Sequence, residues 1–391
     1  MRLLIAGGGT GGHIYPALAV ARSLRARPDG PDGRPVELVW LGGHRGLEAE
    51  IVRASQIPFR RLVLRSLRTV RRDVHLILDP VRVGASVAQA AALLARLRPT
   101  AIFTTGGYVA IPVLIAAAPL RIPVVMWEGN VVPGRSVRAT ARLADVLAVS
   151  FEATCAALRS AAPCYQTGTP IRDVAGIDRE AARARFDVPA SDRVMLVFGG
   201  SQAVRRFNDA VAQALPRLVE RVHVIHVTGD DGYAAALADR EALPVERQIR
   251  YRPYPFLREE MLPALAAADL VVGRAGSSTL AEVAALALPM VVVPYPHAAG
   301  HQRANARVLA DAGAARLVED DSFDAATLID AAALLDDPAT HARMSAAARS
   351  LGRPGAADAV AELLLAAARR APLPDRATIE RIARAKLASP A

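Results

Sequence analysis

His13 closes a glycine-rich turn, Gly7-Gly8-Gly9-Thr10-Gly11-Gly12, that follows the apolar run Leu3-Leu4-Ile5-Ala6. The spacing reads as a strand-to-helix turn, where bare backbone N–H groups and a helix N-terminus favour an anion. The same positive helix end disfavours imidazolium, so His13 is expected to be neutral, the form a general base needs. A histidine that merely caps the turn is the bland alternative. A second turn, Gly199-Gly200-Ser201-Gln202, follows Val194-Met195-Leu196-Val197-Phe198. The stretch from Asp269 to Glu282, DLVVGRAGSSTLAE, places Arg274 at a strand end, and Ser277, Ser278 and Thr279 then open a helix. Small residues there admit a diphosphate to the exposed N–H groups, and the hydroxyls add donors. Glu282 lies one turn further along, where a carboxylate can accept from both hydroxyls of a ribose. An ordinary capped helix with a surface glutamate is the competing explanation.

Weaker signals accompany these. Arg172 follows Thr169-Pro170, and Asn130 sits in Trp127-Glu128-Gly129-Asn130 at a strand end. Alone, each is what turn chemistry or a solvated cation would produce. His297, His301, Gln302 and Asn305 follow the strand Val291-Val292-Val293. Two histidines four apart suit zinc, but no third ligand stands in register, so sugar hydroxyls fit better than a metal. Gly7 to Gly12 also satisfies G-x-G-x-x-G. A dinucleotide site wants an acidic residue ending the second strand, and Val36–Leu41 ends in Gly42-Gly43 instead. That counts against a nicotinamide-dependent oxidoreductase.

Short β-branched runs alternate with alanine-rich helical stretches, the pattern of βαβ units around parallel sheets. Strands are expected near 2–6, 36–41, 101–104, 123–126 and 146–149, then near 193–198, 222–227, 269–272 and 290–293. Helices are expected near 13–26, 80–97, 109–118, 203–220, 258–267, 277–286 and 301–312. The alternation restarts after Thr167-Gly168-Thr169-Pro170. This predicts a first domain over 1–168, a second over 169–355, a helix over 356–372 packing back on the first, and a basic tail over 373–391.

The 391 residues carry a net charge of +10, and Lys386 is the sole lysine. Such an excess of arginine suits anionic partners. Residues 60–98 hold nine arginines and two aspartates among Leu, Val and Ile, which suits an anionic membrane surface or, equally, a solvated basic face. Nucleic acid is disfavoured, because aromatics are only 4% and stacking platforms are lacking. Val109–Leu120, the longest apolar stretch, is too short to cross a bilayer. With no signal-peptide pattern and only Cys155 and Cys164, a reducing cytosol and no disulfide framework are expected.

In this order the motifs resemble the MurG-type bacterial cell-wall glycosyltransferases over roughly residues 2–365. They are GGGTGGHIYPALAVA from Gly7, GGYVAIP from Gly106, WEGNVVPG from Trp127, TGTPIR from Thr167, GGSQ from Gly199, DLVVGRAGSSTLAE from Asp269 and PYPHAAGHQRANA from Pro294. The resemblance implies a GT-B architecture, with two Rossmann-like parallel-sheet domains facing across a cleft. It implies an inverting transfer of N-acetylglucosamine from UDP-GlcNAc to undecaprenyl-diphosphate-linked muramyl pentapeptide, without metal or cofactor, at the cytoplasmic face of the membrane. His13 would be the base; Arg172, Ser201 and the N–H groups of Ser277–Thr279 would hold the diphosphate, with Arg274 in the same donor site. Glu282 would hold the ribose, and a backbone group of Phe256, Leu257 or Arg258 would read uracil. His301 and Gln302 would meet the GlcNAc hydroxyls, Asn130 would reach the sugar from the acceptor side, and Thr10, Gly11 and Gly12 would line the cleft. Trp127 and Gly129 stand where the family has histidine and glutamine, and Ala203 where it has glycine. A GT-B transferase with another acceptor is the nearest rival.

Overall fold

The computed structural model describes residues 1–8, 11–27, 35–43, 48–64, 75–200, 205–298 and 300–385, apart from the side chains at 48 and 75–81. Two compact units result. One is Met1–Asp173 with Arg353–Ala385, the other Val174–Gly352. Thr167 N–H donates to Val149 O at 3.0 Å, and the hydroxyls of Ser150 and Thr169 meet at 2.7 Å. These bonds hold Thr167 and Thr169 to β6, and the first unit runs on to Asp173, beyond the expected break at 168, so that it includes Arg172.

The first unit is built on strands β1 (Arg2–Ala6), β2 (Glu37–Gly42), β3 (Phe59–Arg61), β4 (Ala101–Thr104), β5 (Val124–Glu128), β6 (Val146–Val149) and β7 (Cys164–Gln166). They form one sheet in the order β3-β2-β1-β4-β5-β6-β7, every pair parallel. In the central register Leu4 lies opposite Val39 on one side and Ile102 on the other. Helices cover both faces, which is why the inner strands are continuous apolar runs with no alternation. Ile14, Trp40, Phe103 and Trp127 share one core with Leu363 and Leu364 of the helix Ala356–Arg369; Leu4, Leu94, Val113 and Met126 share the other. Ala356–Arg369 packs on the helix Gly11–Ala26, where alanines allow close approach and Arg27 pairs with Glu362 at 2.7 Å.

The second unit holds β8 (Val194–Phe198), β9 (His223–Val227), β10 (Tyr251–Tyr254), β11 (Leu270–Gly273), β12 (Met290–Val292) and β13 (Ala315–Leu317). Their order is β10-β9-β8-β11-β12-β13, again all parallel. Both sheets are thus doubly wound parallel sheets of Rossmann type, the fold class the sequence implies. The order reverses between β1 and β4 in the first and between β8 and β11 in the second. At such a reversal the connections leave in opposite directions and open a crevice at the strands' carboxyl ends.

Three expectations need correction. The strands β3, β7, β10 and β13 went unread, and all four are sheet edges. An edge strand has one neighbour and little need of a long apolar run, so its signal is short and polar. The basic tail over 373–391, with its helical stretch expected over 377–387, is not a frayed appendage where it is described: Asp375 caps a helix over Arg376–Arg384 by accepting from Thr378 N–H at 2.7 Å, and its Ile379 and Ala383 are buried. Cys155 and Cys164 form a disulfide across a Cα separation of 5.9 Å, joining the helix Ala153–Leu158 to β7. Their spacing in sequence carries no pairing signal; the fold brings them together. Among the described residues no helix is long and apolar enough to cross a membrane.

Candidate functional site

At the first reversal, the turn after β1 lies against the turn after β4. A Cβ on Gly7 would fall 2.7 Å from Thr105 Oγ1. Gly107 has φ +79°, and a Cβ there would fall 2.8 Å from Gly8 O. Glycine is therefore required on both sides of this contact. Trp40 Nε1 donates to Gly7 O at 2.9 Å, and Thr104 Oγ1 donates to Ala6 O at 2.7 Å while accepting from Gly106 N–H at 3.0 Å.

His13, third residue of the helix Gly11–Ala26, is gripped twice by Thr105. Its Nδ1 lies 2.7 Å from Thr105 O, and Thr105 Oγ1 donates to His13 O at 2.9 Å. A carbonyl oxygen only accepts, so Nδ1 carries the proton, and in the neutral ring the lone pair sits on Nε2. The fold thereby sets the tautomer of this imidazole. Gly11 and Gly12 lie in the same turn, Gly12 exposed. Thr10 lies outside the described residues.

Asn130 stands beyond β5 in a loop organised by Glu128. That carboxylate is buried; Oε1 accepts from Asn130 N–H at 2.9 Å and Asn130 Nδ2 at 3.0 Å, and Oε2 from Gly134 N–H at 2.9 Å. Thr154 Oγ1 donates to Asn130 O at 3.0 Å. Arg172 is partly exposed in the segment that ends the first unit.

In the second unit, β11 runs into Arg274-Ala275-Gly276 and the helix Ser277–Ala285. Gly276 is the N-cap and offers no side chain, so the first-turn N–H groups of Ser277, Ser278 and Thr279 are not taken by a cap. Glu282, a turn later on this helix, is buried to 8% exposure. The helix His301–Asp311 holds the turn from the side. Gln302 Oε1 accepts from Ala275 N–H at 3.2 Å and Tyr295 N–H at 2.9 Å, and buried Asn305 Nδ2 donates to Ala275 O at 3.4 Å. Both Gln302 contacts are donors, which fixes the amide orientation and leaves Nε2 as the donor end. His301 is the first residue of the same helix and partly exposed.

Arg274 departs from expectation. Its guanidinium is turned into the protein, bonded to Asp320 and to the carbonyls of Val293 and Pro294 at 3.3 and 3.4 Å. A guanidinium buried this deeply needs an anion, and Asp320 supplies it. Arg274 is a brace for the turn. Leu257 has its side chain in the core beside exposed Phe256. Ser201 lies outside the described residues, as do residues 65–74 and the side chains at 75–81, the centre of the basic segment 60–98. Among the described residues no cluster of three His, Cys, Asp or Glu side chains could hold a metal.

Thr105, Glu128 and Asp320 escaped the sequence reading. Thr105 and Asp320 act through partners 92 and 46 residues away, whereas Glu128 acts on the backbone of its own loop, at Asn130 and Gly134. The pair Thr104-Thr105 at a strand end before two glycines was the single available hint.

A model of the glycosyltransferase family 28 N-terminal domain matches residues 3–149, and one of the family 28 C-terminal domain matches residues 194–362. The UDP-N-acetylglucosamine–N-acetylmuramyl-(pentapeptide) pyrophosphoryl-undecaprenol N-acetylglucosamine transferase of Moorella thermoacetica is 39% identical over 376 residues, covering 93% of this chain and 98% of its own. Its namesake from Desulforudis audaxviator is 38% identical over 371 residues, with coverage of 93% and 98%. Among solved structures, MurG of Acinetobacter baumannii matches with a TM-score of 0.73 at 28% identity, over 93% of this chain and 98% of that one. With both domain models matched in order and near-complete coverage of these relatives, the chain belongs to glycosyltransferase family 28, among its MurG-type members.

Proposed function

We propose that this protein transfers N-acetylglucosamine from UDP-GlcNAc to the hydroxyl of an undecaprenyl-diphosphate-linked muramyl pentapeptide, giving the disaccharide lipid and UDP. The observation that carries this reading is the His13–Thr105 clamp: a base with its proton fixed on Nδ1, at the reversal point of the first sheet. His13 Nε2 takes the proton of the acceptor hydroxyl as its oxygen attacks the anomeric carbon. The bond from that carbon to the β-phosphate oxygen breaks, with inversion, and the electron pair leaves with UDP. In the second unit, the N–H groups of Ser277–Thr279 face the diphosphate where charge develops. Arg172 and Ser201 add to them, Glu282 accepts from the ribose hydroxyls, and a backbone group at 256–258 reads uracil. Gln302 Nε2 and His301 bind the sugar, and Asn130, held by Glu128, is a polar contact for the substrates in the first unit. The acceptor is a membrane lipid, so the protein works at the cytoplasmic membrane surface, with the basic and aliphatic segment 60–98 against anionic headgroups.

The test is conversion of the lipid-linked acceptor by purified protein with UDP-GlcNAc and a chelator present. Equimolar disaccharide lipid and UDP are expected. Turnover with UDP-GlcNAc on a diacylglycerol but not on the muramyl lipid would assign the acceptor elsewhere.

A further inference from the structure

We infer that Asp320 is a positioning residue of the donor half-site: its carboxylate ties together the two turns that flank the second sheet's reversal point. The inference rests on the reading of Ser277–Thr279 as a diphosphate cradle. Arg206 lies in the first turn of the helix Arg205–Leu218, which follows the Gly199-Gly200 turn after β8. Arg274 lies in the turn after β11. Asp320 bonds Arg274 through Oδ1 and stands 3.5 Å from Arg206 Nε through Oδ2. One carboxylate thus braces the crevice from both walls.

The aromatic packing repeats the link. The Arg274 guanidinium lies 4.8 Å from the centre of the Phe207 ring and 5.4 Å from that of Tyr295. Phe207 is the neighbour of Arg206 and stacks at 4.6 Å on Phe323, three residues after Asp320. The segment from Asp320 to Phe323 therefore reaches the helix start after β8 twice, by charge and by ring, and the turn after β11 through Asp320, with Phe207 lying between Phe323 and Arg274. Cation–π contact and a carboxylate together fix the direction of a planar guanidinium, which neither does alone.

Two effects of losing this carboxylate oppose each other. Two guanidiniums and one carboxylate sum to one positive charge; without the carboxylate the sum is two, and simple attraction would tighten binding of an anion. The buried Arg274 would then lack its counter-charge, and the turn it braces would lose its spacing from the β8 turn. If Asp320 positions the turns, the geometric loss wins.

Asp320→Asn keeps the side chain's shape and removes its charge. Calorimetry with UDP is expected to show about tenfold weaker binding than in the unsubstituted protein. In the transfer assay the KM for UDP-GlcNAc rises similarly, while kcat at saturation and the acceptor KM change less than about twofold. Arg206→Ala, which leaves the Arg274–Asp320 bond intact, is expected to weaken UDP binding by about threefold, and it carries the test if the first variant does not fold. Asp336→Asn, which removes an exposed pair with Arg221, is the control and is expected to change nothing. Unchanged or tighter UDP binding in Asp320→Asn overturns the inference, as does an equal fall in kcat and both affinities. An unsubstituted protein that binds no UDP would instead remove the donor-site reading beneath it.

Discussion

The sharpest prediction concerns His13→Asn. The asparagine Nδ2 occupies nearly the place of the imidazole Nδ1, so the bond to Thr105 O at 2.7 Å is retained in kind. Nothing then stands where Nε2 was. The substitution therefore separates the anchoring of the turn from the removal of a proton. A positioned general base contributes about 10²–10⁴ in rate, or about 3–5 kcal/mol at 1.36 kcal/mol per decade. Initial rates of UDP release at saturating donor and acceptor should fall by at least about a hundredfold. UDP affinity, measured by calorimetry, should hold within about twofold, because the diphosphate cradle belongs to the other unit. A rate loss below about fivefold would show that another group takes the proton. A rate loss matched by an equal loss of UDP affinity would show that His13 holds the donor.

Three further outcomes are expected. Glu282→Ala removes a charged acceptor for two ribose hydroxyls; at about 1.5–3 kcal/mol for hydrogen bonds to a charged group, UDP binding should weaken by roughly 30-fold, and 2′-deoxy-UDP should distinguish the variant from the unsubstituted protein much less than UDP does. Glu128→Gln sets an amide N–H₂ against an N–H donor, of Gly134 or of Asn130, at a cost of about 1–3 kcal/mol, visible in urea unfolding and as a raised acceptor KM. Burial pushes the His226 imidazole down to about 3, so the folded protein holds it neutral while the unfolded chain binds a proton below pH ~6.5. Its contribution is whole above that pH and is lost as pH falls toward 3, by about 1.4 kcal/mol per unit. Between pH 7 and 5, urea titrations of His226→Phe should therefore lose about 2 kcal/mol less stability than the unsubstituted protein.

Both reversal points coincide with the glycine turns that stand out in the chain. The first sheet turns back beside Gly7 and Gly106-Gly107, the second beside Gly199-Gly200 and Gly273-Arg274. One topological rule, applied twice, places His13 beside the reversal in one unit and Ser277–Thr279 beside the reversal in the other.

How much was legible in the chain follows from the range of each interaction. The inner strands, the turns after β1, β8 and β11, and the placement of His13, Ser277–Thr279 and Glu282 on the helices that follow could be read, because a buried parallel strand and a helix start write their signals in adjacent residues. The edge strands β3, β7, β10 and β13 could not, since an edge is defined by which neighbour is absent. Nor could the sequence tell Arg274 from Arg172. Both are arginines near a turn, yet one is braced by a carboxylate 46 residues away while the other stays partly exposed at the end of its unit. The tautomer of His13 and the Cys155–Cys164 bond were likewise decided by tertiary structure. Local order depends on the backbone preferences and apolar spacing of neighbours, which the sequence states outright. The direction of a buried polar group depends on which partner the fold delivers to hydrogen-bonding distance, and that exists only once the chain has closed.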